Sequence, residues 1–128
     1  MTEICAVLVI EPSDLFREFL DVIVEHARYD VVAVDLRETA QQALAVQRFD
    51  VVIVASSGVG GRVDPLLLAR RAADAGAAVI IVLDDIAHRR AFTKDGYAMI
   101  EKPFMPGTLI DALEQLRRRN ALQCEPRP

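Results

Sequence analysis

The chain has 128 residues, enough for one compact domain with a real core. A composition of 52% hydrophobic and 27% charged residues is that of a globular domain and argues against disorder. The net charge of -4 leaves no global basic footprint for nucleic acid. No apolar run reaches spanning length and Met1-Thr2-Glu3 lacks a basic leader, so a cytoplasmic protein without a membrane segment is expected.

Short apolar runs alternate with longer amphipathic ones. The predicted strands are Cys5–Ile10, Val31–Val34, Val51–Val54, Val79–Leu83 and Tyr97–Ile100. Several are rich in Val and Ile and apolar throughout, as suits strands buried on both faces of a parallel sheet. The first helix carries Phe16, Phe19, Leu20, Ile23 and Ala27 at helical spacing, with Ser13 placed to cap it. The second covers roughly Glu38–Gln47. The third, Asp64–Ala75, has Pro65 in its first turn and Gly76 at its end. The fourth, Ile86–Lys94, has a short apolar stripe, and the last, Pro106–Asn120, aligns Leu109, Ile110, Leu113 and Leu116. Residues 1–120 are read as one domain and 121–128 as a flexible tail or linker stub.

Strand–helix repetition implies a layered α/β fold with right-handed crossovers. The functional crevice of such a sheet lies beyond the carboxyl ends of its strands, which directs attention to Glu11, Pro12, Ala55, Ser56, Leu83, Asp84 and Lys102. Cys5, in an apolar run, reads as a small core residue, and Cys124, in a polar tail, as a free thiol. Two cysteines are too few for a disulfide framework, and their spacing fits no metal motif.

The segment Ile100-Glu101-Lys102-Pro103-Phe104, the first-strand pattern running on through Leu15-Phe16-Arg17, and Phe49-Asp50 leading into the third strand together resemble the response regulator receiver domains, the CheY-like family. The resemblance covers about Cys5 to Leu116. It implies a flavodoxin-like (βα)5 three-layer sandwich with a five-stranded parallel sheet of order 2-1-3-4-5. Receivers carry two acidic residues after the first strand, an acceptor Asp after the third, a Thr or Ser after the fourth, an aromatic switch residue on the fifth, and a Lys. Here these positions hold Glu11 and Pro12, Ala55, Leu83, Met99 and Lys102.

The departures form a physical set. Ala55 offers no carboxylate nucleophile, and Pro12 no oxygen for Mg²⁺, a hard cation that wants near-octahedral oxygen ligands. Leu83 cannot hydrogen-bond a phosphoryl oxygen, and Met99 is apolar and flexible. A degenerate pseudo-receiver is therefore expected, with no catalytic residue, no metal, no cofactor and no enzymatic activity. Lys102, stripped of its family partners, is expected to pair with Glu11, with Asp84 as second candidate, since an unpaired partly buried ammonium is costly.

Other motifs carry weaker signals. Ser56 and Ser57 read as turn residues, because Ser56 points away from the Ala55 side and no His is placed beside it by sequence. Gly58-Val59-Gly60-Gly61-Arg62 matches neither the P-loop nor the dinucleotide fingerprint. His26 and His88 lack metal-type companions. Arg117-Arg118-Arg119 complements the last helix's dipole, with an anionic-ligand site such as one for a cyclic dinucleotide as the sharper alternative.

The resulting expectation is a phosphorylation-independent receiver-like module that binds proteins in two-component (phosphorelay) signalling. Implied partners are a histidine kinase, a phosphotransfer protein, another receiver or a second copy of this chain, without membrane or direct DNA binding. The resemblance places candidate contact residues at Leu15, Arg17, Arg90, Phe92, Tyr97, Met105 and Arg117, a mixture of apolar and Arg side chains common at interfaces. The alternatives are a small-ligand effector that uses Arg62 or the C-terminal Arg segment for a cyclic dinucleotide or other anion, and a conventional phospho-switch or enzyme using another residue.

Overall fold

The computed structural model describes residues 3–119 and 124–127. Five strands form one parallel sheet: β2 (Ala6–Ile10), β3 (Asp30–Val34), β4 (Val51–Ala55), β5 (Ala78–Leu83) and β6 (Ala98–Glu101), in the order β3-β2-β4-β5-β6. Counting only these five along the chain, the order is 2-1-3-4-5, that of the flavodoxin-like receiver fold. A second, two-stranded parallel pair joins β1 (Glu3–Ile4) to β7 (Cys124–Glu125).

The helices are α1 (Asp14–His26), α2 (Glu38–Val46), α3 (Pro65–Asp74), α4 (Arg89–Thr93) and α5 (Pro106–Arg119). Local chemistry sets several of their ends. Ser13 Oγ accepts from Phe16 N–H to open α1, and Asp64 Oδ1 accepts from Leu66 N–H beside Pro65 to open α3. Gly76, at φ +96°, follows α3, a left-handed conformation that costs a glycine little. The expected fourth helix divides: Asp85 caps a 3₁₀ turn at Ile86–His88, and only Arg89–Thr93 is α-helical.

The period-two alternation of the strands sorts the core into two layers. Val7, Val9, Val51, Ile53, Ile80, Val82 and Ile100 pack with α1 and α5 through Leu20, Ile23, Val24, Leu109 and Leu113. Leu8, Ile10, Val52, Val54, Val79, Ile81 and Leu83 pack on the other face with Ala40, Leu68, Ala69, Ala72 and Phe92. β2 and β4 are buried on both faces, as their unbroken apolar runs predict, whereas β3 is an edge strand and leaves Val32 exposed. Asp50 locks the start of β4 to β2: its carboxylate accepts from Ala6 N–H (2.8 Å) and its own N–H donates to Ala6 O (2.8 Å).

The expectations for the C-terminus need correction. Cys124 is not a free thiol in an exposed tail; it is buried and disulfide-bonded to Cys5. Residues 124–127 lie against the fold, with Cys5 N–H donating to Glu125 O, Arg127 N–H donating to Arg28 O, and the Arg127 guanidinium paired with Asp30. Sequence spacing hides this contact, because Cys5 and Cys124 are 119 residues apart and only the fold returns the chain to its own start. Residues 121–123 and 128 of the expected tail, and Asn120 of the expected last helix, lie outside the described residues.

Candidate functional site

The carboxyl ends of β2, β4 and β5 bring Glu11, Ala55 and Asp84 to one end of the sheet, and the turn after β6 adds Lys102. Ile10 of β2 is in register with Val54 of β4, so Glu11 and Ala55 occupy the next step of adjacent strands. Ala55 pairs with Val82 of β5, directly before Leu83 and Asp84. Lys102 N–H donates to Leu83 O at 3.0 Å, which fixes the lysine backbone to the same end, next to the cis Lys102–Pro103 bond.

Lys102 is paired on both sides. Its ammonium donates to Glu11 Oε1 at 2.6 Å and to Asp84 Oδ1 at 2.5 Å. The expected Glu11 partner and the second candidate are thus engaged together. Glu11 has no exposed surface, yet both its oxygens are satisfied, since Oε2 accepts from Ser13 N–H at 2.9 Å. Asp84 Oδ2 likewise accepts from Ser57 N–H at 2.8 Å. The Lys102 ammonium also sits 3.9 Å from the Phe16 ring centroid, and Phe16, Phe19 and Phe104 form an aromatic cluster beneath it. Arg17 donates to Glu11 O (2.9 Å) and pairs with Asp14 (2.6 Å), bracing the turn that holds Glu11.

This donor set does not fit Mg²⁺. Pro12 and Ala55 contribute no oxygen, and every carboxylate oxygen of Glu11 and Asp84 already accepts from an ammonium or a backbone N–H. A fixed ammonium lies between those two carboxylates, so an added cation would meet a like charge. The two positions that the resemblance assigns to the switch residues are apolar. Leu83 is 1% exposed and belongs to the same core cluster as Phe92, and Met99 is half-buried against that cluster.

A contact that sequence reasoning missed lies beside this cluster. Ser56 Oγ is 2.7 Å from His88 Nδ1 and accepts from Asp84 N–H at 2.9 Å. The expectation that no His stands near Ser56 is therefore corrected: the 3₁₀ turn after β5 delivers His88, and no local motif announces it. Ser56 is nonetheless fully buried, and its oxygen binds the backbone that positions Asp84, so it serves as a structural hydroxyl.

The candidate contact residues divide. Leu15 and Met105, 81% and 74% exposed, are the chain neighbours of Phe16 and Phe104, whose rings meet beside Lys102, and Arg90 is exposed. Phe92 is corrected: it has no exposed surface and is a core residue of the α2–α4 side. Its place in the five-residue α4 turns it inward, where the short apolar stripe gave no direction. Arg17 is occupied with Glu11 and Asp14. Tyr97 is half-buried at the start of β6, and burial together with the Asp95 carboxylate raises its hydroxyl pKa.

The Arg segment is also partly committed. Arg117 pairs with Glu114 at 2.9 Å, and Tyr29 OH donates to the other Glu114 oxygen at 2.9 Å. The Arg117 hydrogen bond holds the Glu114 carboxyl below its usual range, while burial and the Glu114 contact push Tyr29 up to about 12. Arg62 faces Glu38 at 3.5 Å across a shallow groove lined by Leu36, Gly58 and Val63, so the Gly-rich loop offers no uncompensated cation to an anion. Among the described residues, no helix is long and apolar enough to cross a membrane.

No family model matches the chain, and no curated protein matches it significantly. Solved structures do. A response regulator receiver protein from Sinorhizobium medicae is 18% identical with a TM-score of 0.79, over 92% of this chain and 98% of that one. The signal receiver domain of a modulated diguanylate cyclase from Desulfovibrio desulfuricans is 23% identical with a TM-score of 0.78, over 94% and 98%. NtrX from Brucella abortus in complex with ADP is 20% identical with a TM-score of 0.81, over 93% of this chain and 28% of that protein. At these identities the comparison establishes the receiver fold.

Proposed function

We propose that this chain is a phosphorylation-independent, receiver-like protein-interaction module of two-component signalling. The observation that carries the reading is the self-contained charge cluster: Lys102 lies between Glu11 and Asp84, next to Ala55, where receivers place their acceptor Asp. Phosphoryl transfer needs a nucleophile at that step of the strand and a metal beside it, and the residues present supply neither. The likeness to solved receivers supports partners of the same class: a histidine kinase, a phosphotransfer protein, another receiver, or a second copy of the chain. Exposed Leu15 and Met105, beside the crevice, are the first contact residues to test.

Two measurements test the reading. Incubation with acetyl phosphate and Mg²⁺ followed by intact mass should show no phosphoryl adduct; an adduct would overturn phosphorylation independence. Affinity capture, with a Leu15→Ser/Met105→Ser variant as control, should retain a kinase, phosphotransfer protein or receiver that the variant loses. Retention by the variant would move the contact surface elsewhere, and capture of none of these classes would count against the signalling role.

A further inference from the structure

The Cys5–Cys124 disulfide stands apart from the crevice, at the opposite end of the sheet. It joins the residue before β2 to the first residue of β7, and both cysteines are buried. Among the described residues, the segment's other contacts include the Cys5 N–H bond to Glu125 O at 3.2 Å. Among the described residues the β1–β7 ladder has two residue pairs, Arg127 donates one backbone hydrogen bond to Arg28 O, and the Arg127–Asp30 ion pair is about half-exposed on both sides. A two-residue ladder is marginal on its own, and an exposed ion pair contributes little. Docking of Cys124–Arg127 therefore depends on the covalent bond.

We propose that Cys5 and Cys124 form a reversible thiol–disulfide latch that docks or releases the segment Cys124–Arg127. The reaction is thiol–disulfide exchange with a small thiol or dithiol reductant. A reductant thiolate attacks Cys124 Sγ, on the short segment, and the S–S bond breaks. Cys5 leaves as a thiolate that takes up a proton. A second reductant thiolate then resolves the mixed disulfide, giving two protein thiols and one oxidised reductant. Release uncovers Cys5, the start of β2 and the Asp30 carboxylate, a surface that the docked segment occupies. Asp50 completes the neighbourhood: one carboxylate oxygen and the two sulfurs all lie within 4.8 Å of one another. Its negative charge disfavours the departing Cys5 thiolate and so slows the exchange.

The test uses the whole chain in two states, one equilibrated with glutathione disulfide and one with dithiothreitol plus a chelator. Alkylation followed by intact mass should find no free thiol in the first and two in the second. Hydrogen exchange should show the amides of Cys5 and Arg127 losing about tenfold or more of their protection on reduction beyond whatever the core amides of β4 lose with the global fall in stability. Cys124→Ser should give the released pattern even under glutathione disulfide, with the far-UV spectrum of the parent as its folding control. Two thiols persisting under glutathione disulfide, or equal protection in both states, would overturn the latch. So would uptake of one Zn²⁺ by the reduced chain with the segment still docked, which would make Cys5, Asp50 and Cys124 a metal site instead.

Discussion

Replacing Lys102 by Met isolates what the charge cluster contributes. Methionine keeps the apolar stem over Phe16 and deletes the ammonium, so the loss is electrostatic rather than a cavity. Glu11, with no exposed surface, would keep only the Ser13 N–H, and Asp84 only the Ser57 N–H. Breaking a buried ion pair from one side costs about 3–5 kcal/mol. The surviving N–H donors and the partial exposure of Asp84 place this case at the lower end, at about 3 kcal/mol or roughly 10 °C in Tm for a domain of this size. Glu11→Gln is gentler, about 1 kcal/mol, because Lys102 retains Asp84 and reaches solvent. The double variant should cost less than the sum of the singles by about 1 kcal/mol or more, since an amide at position 11 no longer needs a cation. The chain has no Trp, so urea melts followed by far-UV circular dichroism, with m unchanged, are the suitable assay. A loss below about 1 kcal/mol for Lys102→Met, or additivity within about 0.5 kcal/mol, would refute the view that the lysine neutralises a buried carboxylate.

Ala55→Asp should lower stability, because it adds a third carboxylate to two that already share one lysine; an unchanged melting temperature would count against that crowding. Leu83→Thr should cost about 2–3 kcal/mol in urea melts, since it trims a core side chain and buries a hydroxyl among apolar neighbours. Tyr29, raised to about 12, favours its neutral form in the folded state. Its contribution is therefore complete below about pH 10 and is lost between pH 10 and 12, a decline that Tyr29→Phe should abolish in alkaline melts. Reduction of the disulfide, which closes a span of 119 residues, should lower stability by up to about 5 kcal/mol, read as a fall in the urea midpoint with reductant; no shift would mean that the bond constrains little.

The fold was legible because its signals are local. Apolar runs of Val and Ile mark the strands, and Ser13, Asp64-Pro65 and Gly76 mark helix ends within a few residues of where the structure sets them. The Glu11–Lys102 pair was also legible, since a lysine held at the sheet end must find a counter-charge and few acids share that end. Contacts that depend on how distant segments return to one another were not. His88 reaches Ser56 only because an Asp85-capped 3₁₀ turn follows β5, and Cys124 reaches Cys5 only because β7 pairs with β1 beside the amino-terminal end of β2. The inward placement of Phe92 had the same origin, because five helical residues carry too little periodicity to say which side faces the core.

The same cluster bears on how such a module would respond to a signal. A ligand shifts a conformational equilibrium only through contacts that differ between the two states. In this crevice the cation is a side chain, its partners are side chains, and Leu83 and Met99 are packed in or against the core, so neither of those two positions offers a hydroxyl to a phosphoryl group. On the reading proposed above, any switching must come from a partner at the rim, near Leu15 and Met105. Moving a two-state equilibrium from one extreme to the other takes roughly 5.5 kcal/mol of differential affinity. Freeing Lys102 from both carboxylates, at about 3 kcal/mol, would consume a large part of that. A rim contact that leaves the cluster intact faces no such cost, which favours recognition of one standing conformation over a partner-driven rearrangement of the crevice.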